Sequence, residues 1–216
     1  LKMTQYLHDG DAIKKGDVAF VVEGKTISIL QTERLVLNFM QRLSGIATQT
    51  HEYVKLLEGT GTKILDTRKT TPGLRLLEKY AVKVGGGENH RIGLYDMILI
   101  KDNHIDYAGG VTAAITKTKE YLKAKGKNLK IEVEARTLDE IKEILNFDVD
   151  RILIDNFTPE ETKTAVALIN GKCKTESSGG ITKESIRAYA EAGVDYISVG
   201  ALTHHISSLD LSLKAF

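Results

Sequence analysis

Two periods of apolar spacing divide the chain. At the front, short apolar runs at 18–22 and 26–30 are separated by Gly-Asp and Glu-Gly pairs, which predicts antiparallel strands joined by turns. Asp9-Gly10-Asp11 and Gly16-Asp17 read as two ordinary tight turns rather than a specialised β-module. The spacing then changes to three and four. Leu35, Val36, Phe39, Met40, Leu43 and Ile46 follow Thr32, a credible N-cap, and predict a helix that runs to Leu57 and links the front to the rest.

From Lys63 onward a short apolar run and an amphipathic stretch alternate. Runs at 63–65, 97–100, 130–133, 151–154, 173–175 and 196–199 predict strands. Stretches at 74–84, 111–125, 138–147, 159–169 and 181–192 predict helices. The last four strands recur about every 22 residues, a βα period. Such alternation predicts an α/β fold with a parallel sheet, curled by right-handed crossovers toward an α/β barrel or a doubly wound sheet.

Composition narrows what such a fold does. The 216 residues are enough for one large domain, or one with a smaller attachment, and 42% hydrophobic content against 27% charged supports a packed core rather than disorder. Thirty basic and 29 acidic residues leave a net charge of +1, which argues against nucleic acid as the main partner. A single thiol, Cys173, excludes an internal disulfide framework and a multi-cysteine zinc site, and suits a reducing, cytoplasmic compartment. No run approaches the length of a membrane span and no signal-peptide pattern opens the chain. It begins at Leu1, so part of the natural protein is expected upstream.

The residues that follow each strand carry the chemistry. The first strand is followed by Asp66-Thr67-Arg68-Lys69 and the second by Lys101-Asp102-Asn103-His104; the third ends in Glu132-Val133-Glu134 and the fourth at Asp155-Asn156. The fifth ends in Glu176-Ser177-Ser178-Gly179-Gly180 and the sixth at Val199-Gly200. In a parallel barrel all these ends meet at one mouth, where active sites are built. Arg68, Lys69, Lys101, and His90 and Arg91 from a glycine-rich loop gather cations there, which predicts a polyanionic ligand. Ser178-Gly179-Gly180, leading into the helix expected near Thr182, with Val199-Gly200 beside it, suits a phosphate. Glu134 and Asp155 are expected to face each other and to hold Mg²⁺ or sugar hydroxyls, with Glu132 an equal candidate on the same strand face. His104 is a further site candidate, whereas His8, His51, His204 and His205 read as structural or exposed, and no His/Cys/acid spacing makes a transition-metal site.

These segments together resemble one family. Leu65-Asp66-Thr67-Arg68-Lys69-Thr70-Thr71-Pro72-Gly73, Glu78-Lys79-Tyr80-Ala81, Gly86-Gly87, His90-Arg91 and Ile100-Lys101-Asp102-Asn103-His104 strongly resemble the quinolinate phosphoribosyltransferases. So do Glu132-Val133-Glu134, Asp155-Asn156-Phe157, Ser178-Gly179-Gly180-Ile181-Thr182 and Ser198-Val199-Gly200-Ala201-Leu202-Thr203, in the same order over nearly the whole chain. The resemblance implies an incomplete α/β (TIM-like) barrel at 63–203 behind the remnant of an N-terminal α/β sandwich domain at 1–31, with a linking helix at 32–62. Residues 204–216 would return toward the N-terminal domain, and the family's usual opening part is missing.

The same resemblance implies transfer of phosphoribose from 5-phosphoribosyl 1-pyrophosphate to quinolinate, with release of pyrophosphate and carbon dioxide, giving nicotinate mononucleotide. It implies a homodimer, with larger assembly left open, in which Arg34 of one subunit completes the partner's site. Arg68, His90, Arg91 and Lys101 would line the quinolinate pocket, with Lys69 near both ligands and Thr67 and His104 beside them. Glu134 and Asp155 would hold ribose hydroxyls and Mg²⁺, and Ser178, Gly179, Gly180, Ser198, Val199 and Gly200 the ribose 5-phosphate. Two alternatives stand against this: a sugar-phosphate lyase or isomerase forming a Schiff base at Lys101, and a binding protein or paralogue for another anionic ring, as in molybdenum-transport-associated relatives.

Overall fold

The computed structural model describes residues 1–215, so Phe216, the end of the expected C-terminal segment, lies outside them. At the front, β1 (Lys2–Gln5) pairs antiparallel with β2 (Phe20–Glu23), Lys2 opposite Glu23. The strand expected at 18–22 is thus displaced by about a turn's edge, and its partner is residues 2–5. The two tight turns are present: Asp11 accepts from the His8 amide at 2.7 Å and Asp17 from the Lys14 amide at 2.9 Å.

The strand expected at 26–30 does not form. Those residues open α1 (Thr26–Leu56), a helix of 31 residues. The run Thr26-Ile27-Ser28-Ile29-Leu30 fits either period, and no glycine or proline separates it from the amphipathic register downstream, so the helix propagates back to Gly24-Lys25. Thr32 is therefore interior, and its hydroxyl donates to the Ser28 carbonyl at 2.9 Å instead of capping.

Behind α1 come β3 (Lys63–Leu65), α2 (Arg75–Val84), β4 (Ile98–Ile100), α3 (Asp102–Ala108), α4 (Val111–Ala124), β5 (Ile131–Ala135) and α5 (Leu138–Ile144). They are followed by β6 (Arg151–Asp155), α6 (Pro159–Ile169), β7 (Lys174–Ser178), α7 (Ile186–Glu191), β8 (Tyr196–Ser198) and α8 (Ala201–His204). Several boundaries are chemically fixed. Thr158 and Glu161 form a reciprocal capping box at α6, with Pro159 in its first turn, and Thr137 accepts the Glu140 amide at α5.

The six strands are all parallel, in the order β3-β8-β7-β6-β5-β4. The first strand of the series neighbours the last, so the sheet curls into a barrel. Closure is incomplete: Glu88 makes one parallel bridge to Leu65 on the free side of β3, and residues 89–97 span the gap to β4 without joining the ladder. This is the incomplete α/β barrel that the resemblance implied.

Outward-facing Ile131, Val133, Ile152, Ile154 and Ile197 are buried against Ile141, Ile144, Ala165, Ile169 and Ile186 of the helices. Inward positions differ from the branched apolar layers usual in such barrels. Glu132, Glu134, Glu176 and Ser198 are buried there. After α8 the chain runs back along α1: the Leu209 backbone amide donates to the Gln41 backbone carbonyl at 3.1 Å, and the Gln41 side-chain Nε2 to the Leu211 carbonyl at 2.8 Å. Gly45 permits that contact, because a Cβ there would lie 2.3 Å from the Ser207 oxygen. Among the described residues no helix is long and apolar enough to cross a membrane.

Candidate active site

Because the strands are parallel, their C-terminal ends share one rim. Thr67, Arg68 and Lys69 leave β3, Lys101 leaves β4, Glu134 sits near the end of β5, and Asp155, Ser178 and Ser198 end β6, β7 and β8. Arg68, Lys69 and Lys101 are exposed and Arg91 is half-buried. Burial lowers the Arg91 pKa and the nearby Arg68 charge lowers it further. Arg91 also donates to the Met97 carbonyl at 3.3 Å, and the Lys69 amide donates to the Thr67 hydroxyl at 3.0 Å.

The Lys101 ammonium lies 3.3 Å from Glu134, which also accepts the Asp102 amide at 3.4 Å. Burial raises the Glu134 pKa, Lys101 opposes this, and the neighbouring Asp155 charge adds to it. Glu134 and Asp155 stand on adjacent strands rather than facing each other across the mouth: Glu134 pairs in register with Leu153, two residues before Asp155 on β6. Hard carboxylate oxygens that repel one another in this way suit a divalent cation. Lys101, half exposed and beside a carboxylate, lacks the apolar setting of a Schiff-base lysine.

The glycine loop is built for close approach. Gly179 has φ +102°, and a Cβ there would sit 2.2 Å from the Asn156 side-chain oxygen. Gly200 carries the Lys69 side chain across it, the Lys69 Cδ lying 3.1 Å from where a Cβ would be. The helix expected near Thr182 begins instead at Ile186. The Thr182 amide donates to the Ser185 hydroxyl at 3.0 Å, which closes a turn ahead of the helix. The loop amides around Gly179 and Gly180, not a helix terminus, are therefore what a phosphate would meet.

Two expected site histidines have other partners. His104 is exposed, and its Nδ1 accepts the Lys101 amide at 3.0 Å, so it caps α3, a helix absent from the sequence reading. His90 points down into the barrel, its side chain 7% exposed. Its Nε2 lies 3.0 Å from Glu132 and 3.5 Å from Glu176, while its Nδ1 accepts the Arg91 amide at 2.8 Å. Burial opposes the charged ring, but the two carboxylates outweigh it and raise the pKa to about 9. Accepting that amide needs an unprotonated Nδ1, so the Arg91 bond belongs to the neutral ring, and the charged ring that the two carboxylates favour gives it up.

Beneath the rim, Arg151 neutralises this acidic pair, with Nη1 2.5 Å from Glu176 and 3.8 Å from Glu132, and its guanidinium 4.2 Å above the Tyr196 ring. Burial would raise Glu176, but His90 and Arg151 bring it below the ordinary range. Burial and the Glu176 charge push Glu132 up to about 7. Glu132 thus belongs to a buried charge cluster, not to the rim with Glu134. Its sequence spacing concealed this, because His90, Glu132 and Glu176 come from three distant segments yet could offer ligand atoms within 4.8 Å of each other.

Sequence reasoning also passed over the bracing around the rim. Arg42 of α1 reaches Glu78 at 2.7 Å, Thr71 at 2.8 Å and the Thr203 carbonyl at 3.2 Å. Lys79 and Asp66 form a buried ion pair. Glu78 and Lys79 stood in a family motif without a role; a fully buried acid and lysine three and four residues after Arg75 become legible only in three dimensions. Arg34 is exposed on α1, outside the charge cluster of its own chain.

The fold is a parallel barrel whose rim gathers Arg68, Lys69, Lys101, Glu134 and Asp155, with Arg91 in the loop before β4 and a glycine loop after β7. The chain belongs to the quinolinate phosphoribosyl transferase family. The model of that family's C-terminal domain matches residues 46–214 and the model of its N-terminal domain residues 1–44, so the two meet inside α1.

A tobacco protein, Nicotiana tabacum quinolinate phosphoribosyltransferase [decarboxylating] 2b, mitochondrial, is 45% identical over 99% of this chain, which spans 65% of its length. A probable nicotinate-nucleotide pyrophosphorylase [carboxylating] of Bacillus subtilis is 49% identical over 95% of this chain and 70% of its own. The crystal structure of NadC from Streptococcus pyogenes superposes with a TM-score of 0.94 at 42% identity, over 99% of this chain and 75% of that one. The nicotinate-nucleotide pyrophosphorylase of Francisella tularensis gives 0.92 at 47% identity, over 98% and 74%.

Proposed function

We propose that the protein transfers phosphoribose from 5-phosphoribosyl 1-pyrophosphate to quinolinate and decarboxylates the product to nicotinate mononucleotide. The observation that carries this reading is the placing of Arg68, Lys101, Glu134 and Asp155 at the C-terminal ends of parallel strands, with Arg91 in the loop that spans the gap between β3 and β4. Quinolinate has two adjacent carboxylates, and guanidinium groups match carboxylates two bonds at a time. Arg68, Arg91 and Lys101 hold the acid with its ring nitrogen toward the acidic side. The Ser178-Gly179-Gly180 loop and Gly200 receive the 5-phosphate on backbone amides.

As pyrophosphate leaves, positive charge develops at the ribose carbon, and the fixed carboxylates of Glu134 and Asp155 stabilise it while the ring nitrogen attacks. Carbon dioxide then departs, leaving its bonding pair on the ring carbon beside the now positively charged nitrogen, and that carbon takes a proton from solvent while the cations still hold the second carboxylate. Glu134 and Asp155 are also the residues that would hold Mg²⁺, which when bound neutralises charge on the pyrophosphate.

The exposed apolar residues Ile27, Leu30, Leu35 and Val36 of α1 and Leu76 and Leu77 of α2 support a homodimer in which Arg34 enters the partner's site. The single thiol fits a cytoplasmic setting. Purified protein should release pyrophosphate only with both substrates and Mg²⁺. Arg68→Ala should raise KM for quinolinate and leave that for the donor, and Asp155→Ala the reverse. A folded dimer without turnover sinks the proposal.

A further inference from the structure

We propose that Arg75 is a positioning residue that staples together the two loops carrying Arg68 and Arg91, and so sets which spacing of carboxylates the site accepts. This rests on the reading that those two arginines bind the acid. Arg75 opens α2, and its single guanidinium reaches both loops: Nη2 donates to the Arg68 carbonyl at 3.2 Å and Nη1 to the Ile92 carbonyl at 3.1 Å. Its Nε donates to the Thr70 hydroxyl at 3.1 Å, which fixes the plane of the fork.

One turn further along the same helix face, Lys79 repeats the tie at a lower level. It pairs with Asp66 and donates to the His90 carbonyl at 3.0 Å. Asp66 in turn accepts the His90 amide at 2.9 Å and the Asn89 side chain at 2.6 Å. These contacts matter because the backbone ladder gives out at this level. The Asp66 amide to the Glu88 carbonyl, at 3.2 Å, is the last rung between the two segments.

Above that rung the loops carry like charges, which drive them apart. Among the described residues, only the Arg75 fork joins the carbonyls of Arg68 and Ile92. Lysine cannot take its place, because one ammonium on a flexible stem does not span two carbonyls in a fixed plane. Arg75 touches no reacting atom in this arrangement and acts through the backbone of residues 68 and 92.

Arg75→Lys and Arg75→Met are compared with the wild type by calorimetric binding of benzene-1,2-dicarboxylate and benzene-1,3-dicarboxylate, and by steady-state kinetics. The wild type should favour the 1,2 isomer. Both variants should lose that preference by roughly tenfold and raise KM for quinolinate by a similar factor, less than the roughly hundredfold that a misplacement of about 1 Å can cost. KM for the phosphoribosyl donor should stay within about twofold in both. Arg75→Lys keeps the charge and the helix, so the test stands even if Arg75→Met does not fold. Wild-type preference retained in a folded Arg75→Lys overturns the staple alone. A wild type that binds neither isomer overturns the reading of Arg68 and Arg91 beneath it.

Discussion

The Lys79–Asp66 pair allows a quantitative forecast. Both side chains are buried, at 2% and 0% exposure. Burial raises the Asp66 pKa and lowers that of Lys79, and their mutual attraction does not restore either to its ordinary value. Desolvation therefore exceeds the pair's attraction, so the pair as a whole adds little stability while each half depends on the other. Lys79→Met leaves the Asp66 charge with two donors, the His90 amide and the Asn89 side chain. That places its cost at the lower end of the range for a broken buried pair, about 3 kcal/mol. For a protein of this size the loss corresponds to roughly 6–12 °C in Tm.

Asp66→Asn should cost a similar amount, since Lys79 is left with neutral acceptors only and no buried charge to balance its own. The double variant removes both charges and should recover to within about 1–2 kcal/mol of the wild type. Urea unfolding of the four proteins, followed by circular dichroism, gives the cycle directly. A double variant whose loss equals the sum of the single losses, or single losses below about 1 kcal/mol, refutes the account.

Two further forecasts come from other parts of the fold. His90 is held near pKa 9 against an ordinary 6.5, so its stabilising contribution is present in full below pH 6.5 and fades as pH rises through 9. That contribution is at most about 3 kcal/mol, and His90→Gln should flatten the fall in urea midpoint between pH 6.5 and 9; an unchanged slope would falsify the cluster's charge assignment. Gly45→Ala improves helix propensity by about 1 kcal/mol yet should lower stability by roughly 1–3 kcal/mol, because the new methyl meets the Ser207 carbonyl. Thermal unfolding gives the sign, and a rise in Tm would show that the chain after α8 yields freely.

Much of the barrel was legible because each βα unit writes its own period and the strand ends carry charges in order. What escaped depended on more than one segment at once. Thr26-Ile27-Ser28-Ile29-Leu30 suits strand and helix equally, and only continuity with α1 decides it. Asp102-Asn103-His104 reads as a polar strand end, and its seven-residue helix is held by an imidazole accepting the Lys101 amide. Ser185 moves the start of α7 by intercepting the Thr182 amide. Arg151 and Glu176 look like ordinary solvated charges at the edges of two strands; their burial exists only because β5, β6, β7 and the His90 loop converge. The rim residues Arg68, Lys69, Lys101, Glu134 and Asp155 were legible for the opposite reason, since the end of a parallel strand fixes where a side chain goes without reference to its neighbours.

The unpaired stretch between Glu88 and β4 bears on how this site can change over evolutionary time. Residues 89–97 supply Arg91 to the rim without contributing a rung to the sheet, so insertions or replacements there leave the barrel's own hydrogen bonding whole. The opposite wall, from β5 to β8, has no such freedom, because its rim residues are also ladder residues. On the function proposed above, acid recognition would sit on the replaceable side of the barrel and sugar-phosphate recognition on the rigid one. A lineage, or a designer, seeking a new acceptor would remodel the seam and keep the rest.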